Sequence, residues 1–313
     1  MAITAPNLSR VPVWLWRALM AHLAPGELKR FSADPISSVD YTTDVDYVGD
    51  GIRHHRLDVI VPRESAGVLP VYVYFHGGGW TSGDKAPLTR YCATQAVAGM
   101  VVVNVNYRMA PRHRMEHMLQ DGNRALAWVA RNIRDYGGDP DAVVLGGDSA
   151  GGQIAAMLTA TERRPELAEH YALPPVPGLT IRGMVQHCAA LDFSVIFERG
   201  FILGLGFVRM LLPGRTKDPE ALRAAARHLS PIEWLDAGHP PVLVTTSLKD
   251  PFYRANLNYV EALRTHDVAV DVLVDDEAKH TWQQDSRHPG SRAVYDRLAD
   301  FVTRVTTGEP ARR

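Results

Sequence analysis

A serine set between small residues at the end of an apolar run carries the strongest chemical signal. Gly147-Asp148-Ser149-Ala150-Gly151 follows AVVLGG and precedes the helical run QIAAMLTATERR. A chance G-x-S-x-G is expected in about one chain in ten of this length, so the setting decides. A nucleophile that projects from a strand-to-helix turn needs small neighbours two before and two after, and Gly147 and Gly151 supply them. The helix that follows aims its amino-terminal dipole at the place where anionic charge develops. A second signal, His76-Gly77-Gly78-Gly79-Trp80, follows the strand-like VYVYF. Consecutive glycines let amides point inward, so the N–H groups of Gly77, Gly78 and Ala150 are the candidate donors to a tetrahedral oxyanion. A phosphate loop does not fit, because no G-K-[ST] follows and Ser82 stands where the last glycine of G-x-G-x-x-G belongs.

Serine chemistry needs a base and an acid, and in a strand-turn-helix setting they come later, in the order Ser, Asp or Glu, His. Asp250 follows the run VLVTTS and His280 follows VDVLV. Each stands at a strand's carboxyl end, where side chains from different strands converge. His280 would take the Ser149 proton while Asp250 fixes its tautomer. Asp192 is the alternative acid, and His266 and His288 are the alternative bases. One rival motif, His113-Arg114-Met115-Glu116-His117, matches the H-x-x-E-H pattern of inverted zinc proteases. Because His113 lies just after Pro111, where a helix is only beginning, a helix start with solvated histidines is the preferred reading.

These residues require a sheet to hold them. Short β-branched runs at 38–48, 53–61, 71–75, 101–105, 142–146, 181–187, 242–246 and 268–274 alternate with helical patterns such as 115–136 and 252–265. The pattern is that of an α/β protein with a largely parallel sheet and helices on both faces. Two apolar helical segments break the alternation. Residues 1–38 carry Trp14, Leu15, Leu19 and Leu23 on one helical face, and 193–235 form a long connection of the kind that usually serves as a lid. We expect both to form a cap, leaving a core of 39–192 and 236–306 and a tail at 307–313. A helix lying on a membrane surface is the weakest reading of the first segment, because few basic residues flank it.

Composition narrows the function. Hydrophobic residues make up 46% and charged residues 22% of 313, and 34 Lys plus Arg oppose 35 Asp plus Glu. That balance is globular and gives no reason to expect nucleic acid or an anionic surface as partner. No apolar run reaches the roughly 20 residues that span a bilayer, so no integral membrane contact is expected. Arg17 and His22 interrupt the run that a signal peptide would need. Two cysteines, Cys92 and Cys188, read as reduced thiols in the cytoplasm.

Taken together, HGGGW at 76–80 with Gly83-Asp84, YRMAP at 107–111, YGGDP at 136–140, GDSAGG at 147–152 and Asp250-Pro251 resemble the hormone-sensitive-lipase family of α/β-hydrolases, the bacterial family IV esterases. The resemblance covers most of the chain after about residue 50. It implies an α/β-hydrolase fold with a mostly parallel eight-stranded sheet, a cap from the amino terminus and an insertion, no metal, no cofactor, and hydrolysis of short to medium acyl esters. The chain departs from the family at Thr281 and Trp282, where His-Gly-Phe is usual, at Arg254, where a second acid is usual, and at Arg112.

The resulting expectation is a serine carboxylesterase acting through an acyl-enzyme on Ser149, its partner a small apolar ester. Trp80, His187, Phe201, Phe207, Met210 and Trp282 are the expected substrate-lining residues. A lactone, thioester, amide or carbamate passes through the same tetrahedral geometry. A non-hydrolytic small-molecule receptor on the same fold is the alternative of a different class, against which His280 argues. A homodimer is left open.

Overall fold

The computed structural model describes residues 12–31, 35–65, 67–198, 201–214, 216 and 218–308. Residues 1–11 of the expected cap and the expected tail beyond 308 lie outside the described residues. Eight strands form one sheet: β1 (Val39–Asp46), β2 (Arg56–Pro62), β3 (Leu69–Phe75), β4 (Val101–Val105), β5 (Gly138–Asp148), β6 (Ile181–His187), β7 (Val242–Ser247) and β8 (Val270–Asp275). Their order is β1-β2-β4-β3-β5-β6-β7-β8. β1 and β2 pair antiparallel, as do β2 and β4, and the pairs from β4 to β8 are parallel.

Strands buried on both faces read as continuous apolar runs, and the period of two then sorts each run between two cores. Val71, Val73 and Phe75 of β3 join Val101, Val103 and Val105 of β4 and Val143 and Leu145 of β5 on one face. Tyr72, Tyr74, Val102 and Val144 join the opposite face. Among the described residues the α-helices are α1 (Val13–Phe31), α2 (Thr89–Val97), α3 (Met115–Asn132), α4 (Ser149–Thr161), α5 (Pro165–His170), α6 (Leu205–Leu211), α7 (Pro219–Ala226), α8 (Tyr253–Thr265) and α9 (Ser291–Thr307). A third cluster, with Val242, Val244, Tyr259 and Leu263, packs α8 on β7.

Register sets up the site. Phe75, the last residue of β3, lies opposite Gly147 of β5, so the loop after β3 leaves the sheet beside the end of β5. Ser247 of β7 lies opposite Asp275 of β8, and the loops that follow carry Asp250 and His280. The loop after β3 is pinned from below by Lys85, whose ammonium reaches Asp58 at 2.6 Å and Asp44 at 2.9 Å. Its backbone is held by Asn104 and Asn106 on the loop's inner side.

The two segments expected to form a cap behave differently. α1 lies over the loop after β3, and its Trp16 meets Phe207 of α6 edge-on at 6.3 Å. The face expected to pack inward is turned out: Trp14 is 70% exposed, and Leu15, Leu19 and Leu23 are exposed with it. Trp16, Met20, Ala24 and Leu28, spaced four apart, face the site instead. With two apolar stripes on one helix, the period alone does not choose the inward face. The zinc-like motif falls at a helix start, since α3 begins at Met115 and leaves His113 before it. His117 Nδ1 accepts the Arg114 amide there at 3.2 Å.

Candidate active site

Ser149 sits at the first position of α4 with φ of 50°. A non-glycine residue rarely adopts this left-handed conformation, and its presence here marks the sharp turn between β5 and α4. Gly151 is required for the same turn, because a β-carbon there would run into the carbonyls of Phe75 and His76. Gly78 has φ of 119° and no room for a side chain beside the Ser82 carbonyl. The loop after β3 therefore passes close over the start of α4.

His280 Nδ1 stands 2.5 Å from Asp250 Oδ2. Asp250 is almost wholly buried, and its other oxygen accepts the Phe252 amide at 2.6 Å. A carboxylate held this way directs the imidazole proton to Nδ1 and leaves Nε2 as the basic nitrogen. The alternative acid is engaged elsewhere: Asp192 accepts from the Ser194 amide at 2.8 Å and from Asn258 Nδ2 at 2.7 Å. Of the alternative bases, His266 is exposed beyond α8 and His288 accepts the Gly290 amide.

Ser149, His280 and Gly77 to Gly79 line one cavity of about 690 Å³. Its apolar wall comes from Trp16, Met20, Ala24 and Leu28 of α1 and from Pro87 and Leu88, while Arg53, His54, Asp84 and Gln284 supply polar groups. A larger cleft of about 990 Å³ lies between β8 and α9, but none of the triad candidates borders it.

Asp148, which the sequence reading passed over, is buried directly before Ser149. Its Oδ1 accepts from Tyr74 Oη at 2.9 Å and from the Gly77 amide at 3.0 Å. Burial pushes its carboxyl up to about 6, opposed by the Tyr74 hydroxyl, the charge of His280 and the Gly77 amide. One expected oxyanion donor is thereby corrected: the Gly77 N–H already has an acceptor. The Gly78 and Gly79 amides have none among the described residues. His76 stacks on Tyr107 at 4.4 Å and its Nδ1 lies 2.7 Å from the Gly77 carbonyl, which further fixes this loop.

The six expected lining residues do not border this cavity. His187 is fully buried between Tyr91 Oη and Thr245 Oγ1, each at 2.7 Å, and burial pushes its imidazole down to about 3. Trp80 is buried against Phe193, with its indole N–H donating to Gln153 at 3.0 Å. Phe207 and Trp282 are core residues, Met210 packs against the same core as Phe207, and Phe201 meets Phe252 at 5.5 Å. Apolar residues near loops were simply recruited by the core. None of the described residues of 193–235 borders the cavity either, so of the two segments expected to form a cap only α1 lines it among the described residues.

Residues 72–284 match a family described as alpha/beta hydrolase fold. Carboxylesterase NlhH of Mycobacterium tuberculosis is 30% identical over 278 residues, spanning 85% of this chain and 83% of that protein. Esterase B of Lactobacillus rhamnosis superposes with a TM-score of 0.82 over 94% of this chain and 95% of that one, at 22% identity. A hyperthermophilic esterase from the archaeon Pyrobaculum calidifontis superposes with a TM-score of 0.70 over 95% and 94%, again at 22% identity. At such identity the two structures bear on the fold alone.

Proposed function

The chain belongs to the α/β-hydrolase fold family, in its hormone-sensitive-lipase-like branch of carboxylic ester hydrolases, and from that premise we propose that Ser149, His280 and Asp250 form its catalytic triad. One observation carries the reading: Ser149 on its left-handed turn and His280 on its buried carboxylate border the same cavity as the glycine loop. His280 Nε2 removes the Ser149 proton as Oγ attacks the ester carbonyl, then returns it to the leaving alcohol. The Gly78, Gly79 and Ala150 amides hold the oxyanion, and water repeats the cycle to release the acid. The substrate is a small ester of short to medium acyl length, its apolar part against α1, Pro87 and Leu88. No metal or cofactor takes part in these steps. The buried, unpaired Cys92 and Cys188 support a reducing, cytoplasmic setting.

A fluorescent phosphonate ester, followed by peptide mapping, tests the nucleophile. One adduct at Ser149 with complete loss of turnover on p-nitrophenyl butyrate is expected. Ser149→Ala should lose both labelling and turnover while its melting temperature stays within a few degrees, since the side chain lies at a turn. Labelling at another serine overturns the assignment.

A further inference from the structure

Behind the base and its acid lies a thiol that the ester chemistry does not use. Cys188 follows β6 directly, with φ of 49°, and is fully buried. Its Sγ, a carboxylate oxygen of Asp250 and a ring nitrogen of His280 all lie within 4.8 Å of one another, and it is Nδ1 of His280 that faces Asp250. Gln283 completes the surroundings: its Nε2 is 3.4 Å from Sγ and its Oε1 is 3.8 Å away. Among the described residues this is the one group of three such donors that converges. We propose that Cys188, Asp250 and His280 form an inhibitory site for a soft or borderline divalent cation, of which zinc and cadmium are the types.

The donor set fits that class. Thiolate, imidazole and carboxylate are the ligands zinc accepts, and thiolate favours soft cations over magnesium or calcium. The three atoms need to move only by about an ångström to lie at the spacing of a tetrahedral site. In the metal-free protein burial and the Asp250 charge push the Cys188 thiol well above its ordinary range, so it stays protonated. A cation reverses that balance: the thiol loses its proton to solvent and the sulfur lone pair goes to the metal. The imidazole proton moves from Nδ1 to Nε2, and the Nδ1 lone pair also goes to the metal. With Nε2 protonated, His280 cannot accept the Ser149 proton, and turnover stops. His280 is about a third exposed and borders the cavity, which gives a cation its way in.

This inference rests on the reading of His280 as base, so binding and turnover are measured separately. Full-length enzyme, freed of metal with EDTA, is titrated with cadmium chloride while the ultraviolet sulfur-to-cadmium charge-transfer band and p-nitrophenyl butyrate hydrolysis are both followed. One cadmium per chain, the band, and inhibition that deepens as pH rises are expected. Cys188→Ala should keep its turnover, lose the band and need at least about tenfold more cadmium for half inhibition, because the soft ligand is gone. Cys92→Ala should behave like the parent. Cys188→Ser, nearly isosteric, serves if the alanine variant does not fold. No band, or equal cadmium sensitivity with and without the thiol, overturns the site. Cadmium bound through Cys188 with undiminished turnover overturns His280 as base.

Discussion

Asp148 Oδ1 accepts the Gly77 amide at 3.0 Å, which fastens the residue before Ser149 to the first glycine of the loop after β3. Phe75, the last residue of β3, lies opposite Gly147, so the bond joins the last residue of β5 to the second residue beyond β3. One carboxylate thus sets the distance between the Ser149 turn and the glycine loop proposed to hold the oxyanion. Removing it by Asp148→Ala strands two buried donors, Gly77 N–H and Tyr74 O–H, at about 1–3 kcal/mol each. We expect a fall in kcat larger than any rise in KM, since the loop holds the oxyanion more than the ground-state ester.

The same carboxyl makes a pH prediction of definite sign. Its folded value, about 6, lies above the unfolded one near 3.9, so between these limits the native state binds more protons than the unfolded state. The protein therefore loses stability as pH rises from about 4 to 6, by on the order of 3 kcal/mol from this group alone. Asp148→Asn keeps the acceptor but cannot ionise. Urea midpoints at pH 4 and pH 7 should show the variant gaining on the parent across that interval, and parallel curves would refute the shift.

Asp250→Asn tests the acid. An amide can present its N–H to His280 Nδ1 and leave the imidazole in the wrong tautomer, at a cost of about 10³ to 10⁴ in kcat. Asp192→Asn disturbs the bonds to Ser194 and Asn258, neither of which involves the imidazole, and should cost less than about tenfold. The opposite ranking, measured by steady-state kinetics, would transfer the role to Asp192.

Thr281, where the family usually has glycine, has φ of 58° and ψ of 31°. For a β-branched residue that conformation costs about 1–2 kcal/mol, partly offset in glycine by its greater unfolded-state freedom. Thr281→Gly should therefore stabilise the protein by about 1 kcal/mol, raising Tm by about 2 °C, with the His280 loop unchanged. A lower Tm by calorimetry would mean that the threonine side chain earns its strained place through contacts.

Legibility in the sequence followed period and local turn chemistry. The runs at 101–105 and 181–187 are strands with those bounds, because fully buried parallel strands are uninterrupted in sequence. Ser149, Asp250 and His280 were read as a triad because each follows such a run, and the structure sets His280 on Asp250 and lines one cavity with Ser149 and His280. Asp148 was hidden in plain view inside GDSAG: an acid one residue before a serine has no period, and only the pairing of β3 with β5 reveals its partner. His187 misled because a buried histidine satisfied by Tyr91 and Thr245 has the same sequence context as a lining one. The cavity wall failed for a further reason. On α1 both stripes are apolar, and the choice between Leu15-Leu19-Leu23 and Trp16-Met20-Ala24-Leu28 is made by the loop it covers.

That choice makes the final prediction, on acyl length. Ala24 and Met20 lie one turn apart on the inward face of α1, bordering the cavity with Ser149. Ala24 is small and sits on a helix, so a larger side chain extends into the cavity without straining the backbone. Ala24→Phe should leave p-nitrophenyl acetate hydrolysis within about threefold while lowering kcat/KM for the octanoate ester by tenfold or more, about 1.4 kcal/mol of lost transition-state binding. Leu19→Phe, on the outward stripe of the same helix, should change neither. If the two substitutions have the same effect across a series from acetate to decanoate, the inward face of α1 does not bind the acyl chain. A uniform loss with Ala24→Phe on every ester would instead assign α1 to access and not to chain-length selection.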